Sequence, residues 1–433
     1  MKRKLSTIEH MIDGNIVYFV RLAGQIEERR LRTAIDRLQY KHPVLRMLIR
    51  EEQDGLCYEF DCAPEIPLLI LPRISQSDYR REIAAELNAR FTHSQPQLRL
   101  VWLRSEVEQE LLFVASHRIC DGMSMLTIVR EVLRCMHRDE IPLPYAPISP
   151  DDIIGDYQPP RPWKRRMSAH LCNAVLGLIP NSRKDPGNNE YFLEWWVGEE
   201  MTDALRRRCK AEGVSVHAAL TVALDRSLLA VLGERKTPAW IESPMDARRG
   251  RLAMLKADML FFGGGSLKVH TSRNTGTDFW EQARTVHRDL RAGIEQELLN
   301  IPGRYHFYGM LRPLPDAKIH TMVRIAEALK VNGSWNRIAL SNLGDVVVTE
   351  PDAPFRLLDL RLYVHSFNIR LLGLVSYLLN GEMRFYYVGD EKCMSRSHAD
   401  ALKGEMMALL RNQIPDSARW YDDNPVEVHP LAG

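Results

Sequence analysis

The 433-residue sequence has no long uncharged apolar run. Its best stretch, 214–232, is interrupted by His217, Asp225 and Arg226, so no transmembrane helix is expected. The basic start, MKRKLSTIEHMIDGN, has no apolar segment behind it, which speaks against a secretory signal. Cysteine is sparse: seven residues, an odd number, and no CxxC pair. Free thiols in a reducing cytoplasm are the simplest expectation. An excess of one charge is also missing. Lys and Arg total 58 against 56 Asp and Glu, a net charge of +2, which argues against a dedicated nucleic-acid binder. Short repeats and low-complexity tracts are absent. Hydrophobic residues at 45% and charged residues at 26% exclude global disorder.

What is present alternates between strand-like and helix-like patterns. Residues 15–22 (NIVYFVRL) read as a strand. In 28–40, Leu31, Ala34, Ile35 and Leu38 recur at helical spacing, and His42-Pro43 ends that helix. Strands are expected at 44–49, 56–60, 68–71, 98–103 and 111–116, and helices at 77–91 and 123–136. The stretch from Ile141 to Pro186 carries nine prolines, which forbids continuous sheet or helix and reads as a crossover with one helix at 163–178. The alternation then resumes. Strands are expected at 192–197, 237–243, 335–340, 355–364, 370–378 and 383–388, with helices at 202–211, 216–232, 278–297 and 398–410. The pattern predicts an α/β (α+β) protein with an N-terminal lobe over 1–140, a crossover over 141–188 and a C-terminal lobe over 189–433.

The string 111–125, LLFVASHRICDGMSM, runs an apolar strand into His117, then Asp121-Gly122, then an amphipathic helix. Gly122 is expected to permit a turn that a side chain would resist. Histidine titrates near neutrality, so His117 can take a proton from a hydroxyl or amine and return it. Asp121 need not bond that histidine; it can turn away and pair with an arginine. Three other readings stand beside this one: a structural histidine with a simple turn, a metal ligand pair without a supporting His or Cys cluster, and Cys120 as a nucleophile.

The HxxxDG string resembles the active-site motif of the condensation-domain and acyl-CoA-dependent acyltransferase superfamily, which includes polyketide-associated acyltransferases, alcohol acetyltransferases and wax-ester synthases. Further segments resemble that group in its order: HPVLR at 42–46, VSVHAALTVAL at 214–224, SPMDAR at 243–248, SNLG at 341–344 and the 381–387 strand before the last helix. The resemblance implies two chloramphenicol-acetyltransferase-like lobes around a central tunnel. It implies an acyl thioester donor, on coenzyme A or on the phosphopantetheine of a carrier protein, and a hydroxyl or amine acceptor. No permanently bound cofactor is expected. His117 would be the general base, and Asp121 the structural partner of Arg248 or, next to it, Arg249. The Gly122 N–H would help hold an oxyanion, and Ser341 or Asn342 would donate near the tunnel. A non-catalytic protein docking a carrier is the alternative of another class, and hydrolysis through Cys120 a third.

The sequence departs from the group at three places. Ser116 replaces a first histidine, FFGGGSL at 261–267 replaces an Asn-containing string, and SNLGD lacks a proline. Gly263 to Gly265 read as a flexible turn. The clusters Lys164-Arg165-Arg166, Arg206 to Arg208 and Arg248-Arg249-Arg251 could meet coenzyme A phosphates or a carrier's acidic helix. His217 and His287 read as structural, and a monomer is expected.

Overall fold

A computed structural model of the chain describes residues 2–52, 55–181, 189–248, 252, 254–262, 265–270, 276–313, 315–328, 338–367, 370, 372–414 and 429–430. Strand Gly14–Ala23 is the axis of the first sheet. Its residues are apolar at successive positions and almost all buried, as expected of a strand covered on both faces. Side chains alternate across it. Phe19 packs against Tyr79 of helix Asp78–Asn88, with ring centroids 4.7 Å apart. Tyr18, on the other face, donates its hydroxyl to the Gly122 carbonyl at the start of helix Gly122–His137 (3.0 Å). The sheet has five strands in the order Arg356–Ser366, Gly14–Ala23, Glu108–Ser116, Leu98–Arg104, Leu68–Pro72. Only the last pair is parallel.

A second sheet of seven strands runs in the order Ser266–Val269, Ile241–Pro244, Ala339–Asp345, Gly373–Leu379, Glu382–Asp390, Glu190–Val197, His429–Pro430. Helix Val216–Leu232, apolar on most faces, is buried here, packed against helices Arg396–Arg411 and Phe279–Tyr308. A small sheet joins Lys2–Lys4, Gly55–Glu59 and Leu48–Glu52.

Three expectations need correction. The lobe expected over 189–433 does not keep its own strand Arg356–Ser366. That strand pairs antiparallel with Gly14–Ala23, from Arg356 opposite Ala23 to Ser366 opposite Gly14. Helix Phe279–Tyr308 runs through Pro302, well past the expected end at 297. Helix Gly122–His137, expected as an amphipathic helix over 123–136, is buried over more than one stripe: besides Leu126, Val129, Leu133 and Met136, Thr127, Ile128, Val132 and Cys135 are buried too. The expected strand at 335–340 lies partly outside the described residues; strand begins at Ala339.

The two halves meet most tightly at Gly14. A Cβ there would stand 2.2 Å from the His365 carbonyl oxygen, and the Gly14 carbonyl itself accepts the His117 N–H (2.8 Å). Gly14→Ala should therefore force the two strands apart. The expected cost is about 1–3 kcal/mol in chemical denaturation. A variant as stable as the parent would show that this junction is not tight.

Candidate active site

His117 follows strand Glu108–Ser116, whose last residue is paired with Asn15 of the central strand. The imidazole is half-buried. Its Nδ1 lies 2.8 Å from the Cys120 carbonyl oxygen. A carbonyl can only accept, so Nδ1 carries the hydrogen and donates it. In the neutral ring the lone pair is then on Nε2, which has no hydrogen-bond partner among the described residues. The Phe262 ring meets the imidazole edge-on, with centroids 5.1 Å apart and planes at 78°. Burial lowers the His117 pKa, against the upward pull of the Cys120 carbonyl and the Asp121 charge. A neutral, oriented imidazole with a free nitrogen is the form a general base requires.

Asp121 does not touch that ring. It caps helix Gly122–His137, accepting the Ser124 N–H (2.8 Å) and the Ser124 hydroxyl (2.8 Å) on Oδ1. Arg248 closes on it from the second half of the chain, with Nη1 to Oδ2 at 2.9 Å and Nη2 to Oδ1 at 3.0 Å. The Arg248 side chain is 1% exposed, and every nitrogen of its guanidinium is engaged. Nε donates to the Met259 carbonyl (2.9 Å), Nη1 also to Asp246 (2.8 Å), and Nη2 also to Ser124 Oγ (2.6 Å) and the Phe261 carbonyl (3.0 Å). Burial opposes the charge, but Asp121 and Asp246 outweigh it and raise the Arg248 pKa. Arg249 and Arg251 lie outside the described residues, as do Gly263 and Gly264.

A second polar network, which sequence reasoning missed, lies beside the first. His42 is fully buried. Its Nε2 donates to Glu131 (2.8 Å), while Nδ1 accepts from the Tyr145 hydroxyl (2.9 Å). The Tyr145 oxygen in turn accepts the Leu260 N–H (3.0 Å). Lys41 bridges Glu131 and Asp258, the latter at 2.7 Å. Burial lowers the His42 pKa and keeps the ring neutral, which fits this single direction of donation. The irregular segment 258–261 is thus held at each residue in turn, by Lys41, Arg248, Tyr145 and Ser124. The next residue is Phe262, the ring against His117. The available signal was Glu131, the one charged residue on the buried side of helix Gly122–His137.

The other candidates fall into place as follows. Gly122 is not a left-handed turn residue but the first residue of the helix; a Cβ there would press on the Tyr18 hydroxyl at 3.2 Å. Leu343 packs toward the same point, so the 341–344 segment, part of strand Ala339–Asp345, does meet the helix start. Asn342 spends its Oδ1 on the Gly344 N–H (2.8 Å), where Gly344 takes a φ of +74°. Ser341 sits on strand Ala339–Asp345 opposite Val375. Cys120 is fully buried, and burial pushes its thiol well above the ordinary range, the opposite of the exposed thiolate that nucleophilic catalysis uses. His217 bonds Ser243 Oγ (2.7 Å), and burial brings its pKa down to about 4. His287 accepts the Ser215 N–H (3.2 Å). Within the Arg206 to Arg208 cluster, Arg206 and Arg208 pair with Asp203 and Glu212 on the surface.

A cleft of about 500 Å³, counted to its open mouth, adjoins the site. It is walled by Pro43, Val44, Ile119, Tyr145, Leu260 and Phe262, and Arg118 also borders it. It reaches the residues flanking His117 without His117 being in its wall, so the cleft by itself is not a passage past the imidazole.

The sequence matches no family model and none of the curated protein sequences. Solved structures match the fold along nearly the whole chain. Polyketide synthase associated protein 5 from Mycobacterium tuberculosis superposes with a TM-score of 0.62 at 15% identity, covering 94% of this chain and 97% of that one. TRI3 trichothecene 15-O-acetyltransferase from Fusarium sporotrichioides gives 0.68 at 11% identity, covering 96% of each. The NRPS condensation enzyme VibH gives 0.59 at 15% identity, covering 92% of this chain and 91% of that one. The chain therefore has the chloramphenicol-acetyltransferase-like fold shared by condensation enzymes and acyltransferases.

Asp121→Asn keeps a helix cap but removes the charge facing Arg248. Stability should fall by roughly 1–3 kcal/mol, activity should persist because His117 is oriented by Cys120 instead, and the acid limb of any activity should move down rather than up, since the Asp121 charge pulls the His117 pKa upward. A normally stable but inactive variant would overturn the structural assignment of Asp121.

Proposed function

We propose that the chain is an acyltransferase that moves an acyl group from a thioester to a hydroxyl or amine, with His117 as general base. The observation that carries this is the half-buried imidazole whose Nδ1–H is fixed on a backbone carbonyl and whose Nε2 is free. The fold, shared with an O-acetyltransferase and a condensation enzyme, supports the reaction class. Nε2 takes the proton of the acceptor as its oxygen or nitrogen attacks the thioester carbonyl. A tetrahedral oxyanion forms. Its collapse breaks the carbon–sulfur bond, and the imidazolium returns the proton to the departing thiolate. The Gly122 N–H belongs to the first turn of a helix, where N–H groups lack intrahelical partners and favour negative charge, so it is the candidate oxyanion donor. Arg248 and Asp121 act through position, holding segment 258–262 against the site.

The donor is a thioester of coenzyme A or of carrier-protein phosphopantetheine, and the reaction belongs to lipid or polyketide and nonribosomal-peptide chemistry. The cytoplasm suits seven cysteines that are all free thiols.

The test is turnover with a panel of acyl-coenzyme A and acyl-carrier donors against alcohol and amine acceptors. His117→Ala should lose roughly two to four orders of magnitude in rate while remaining folded. Unchanged turnover rejects His117 as base. Carrier binding that survives this substitution, without product from any donor, would favour a docking protein instead.

The depressed His117 pKa gives an independent check. Only the neutral ring accepts a proton, so kcat/KM is lost as pH falls through the pKa of the folded protein. Because burial lowers that pKa, the acid limb should lie below the ordinary value of about 6.5. A limb at or above that value would contradict the buried-base geometry.

A further inference from the structure

Helix Pro162–Leu178 is docked by one face only. On that side Ala169 is buried, and Arg165 donates to the Gly303 carbonyl and to the Tyr157 hydroxyl. Asn173 bonds the Met310 carbonyl (3.0 Å) and the Arg312 N–H (2.8 Å), and Lys318 donates to the Leu176 carbonyl (2.8 Å). At about 100° per residue, Trp163, Met167, Leu171, Val175 and Leu178 fall within an arc of about 120° on the opposite side. All five are 53–84% exposed. Scattered surface hydrophobics are ordinary, but five in one stripe along a 17-residue helix are not.

The charge around the stripe identifies its partner. From 157 to 181 there is no Asp or Glu, in a chain whose charges otherwise nearly balance. Lys164 falls within the arc, between Leu171 and Val175, with its Nζ 5.4 Å from the Trp163 ring centroid. Arg166 and His170 border the arc on one side, both exposed. An outward apolar ridge with a tryptophan at one end, a lysine within it whose long stem can carry its charge to the surface, and cations along one flank is the pattern of a helix lying in the interface of a bilayer. No single helix among the described residues is long and apolar enough to cross a membrane, so the helix would lie along it.

We propose that helix Pro162–Leu178 seats the protein on membrane surfaces that carry anionic lipid, the apolar stripe entering the acyl boundary and Lys164, Arg166 and Arg161 meeting the headgroups. The seat shares a wall with the cleft. Gly303, which accepts Arg165, is two residues from Tyr305, a cleft residue, and the Tyr145–Ile153 stretch of the cleft leads into the helix.

The full chain is tested by co-sedimentation with vesicles of phosphatidylcholine alone and of phosphatidylcholine mixed with phosphatidylglycerol, at low and high salt. Wild type should bind the anionic vesicles, less so as salt rises. The double variant Met167→Asp, Leu171→Asp should lose about tenfold or more of that binding, with an unchanged circular dichroism spectrum and melting midpoint, because both side chains face outward. Lys164→Glu with Arg166→Glu should abolish the preference for anionic over neutral vesicles. Wild type left in the supernatant with both compositions overturns the proposal, as does a double variant that binds as well as wild type. Two further results overturn it in favour of a protein interface: a dimer that the double variant splits while vesicles bind neither, or retention by an acidic carrier protein through the same side chains.

Discussion

A single carboxylate, Asp121, ties the first half of the chain to the second at the point where chemistry is expected. It ends a strand–turn segment, caps the helix that follows and receives an arginine from 127 residues downstream. Removing water from so many charges is costly, and the arrangement persists because each donor of Arg248 has an acceptor. Orientation of the imidazole is left to a backbone carbonyl, which no mutation of a side chain can delete directly. The charged pair and the base are thus neighbours with separate tasks: one fixes the frame, and the other stays neutral inside it.

The segment 258–262 gives that frame its reach. It is neither helix nor strand, so its backbone groups lack a ladder and find partners among side chains of both halves. Lys41, His42, Glu131 and Tyr145 continue the same stitching into the first helix and the crossover. The position of Phe262 against His117 is therefore set by two polar networks rather than by its own packing alone.

How much of this was legible in the sequence varied with the distance between partners. Periodicity found the central strand and the helices at 28–41 and 216–232, because each reports its own buried face. His117 and Asp121 stood out because an apolar strand runs into them and an amphipathic helix leaves them. Arg248 was reachable only through the ordered likeness of several segments, since nothing local marks an arginine for a partner so far away. The His42 network left one mark in the sequence, the charged Glu131 on a buried helix side, and no more: its members come from four places in the chain, and pattern reading gives a face without saying what lies opposite. The same blindness hid the destination of strand Arg356–Ser366, whose alternation reads well but whose neighbour is the strand beginning at Gly14. The far end of helix Phe279–Tyr308 was hidden as well: it continues past the expected 297 and through Pro302, a residue that elsewhere breaks helices.

That long-range pairing bears on how the molecule is made. While the nascent chain is still short of residue 366, the strand 14–23 has been synthesised for hundreds of residues but keeps a bare hydrogen-bonding edge. The first lobe cannot complete its sheet as an independent unit; it must wait, partly open, until strand Arg356–Ser366 has been made. Co-translational folding of this chain is thus delayed by topology, and the interval before closure is when chaperones would have most to shield.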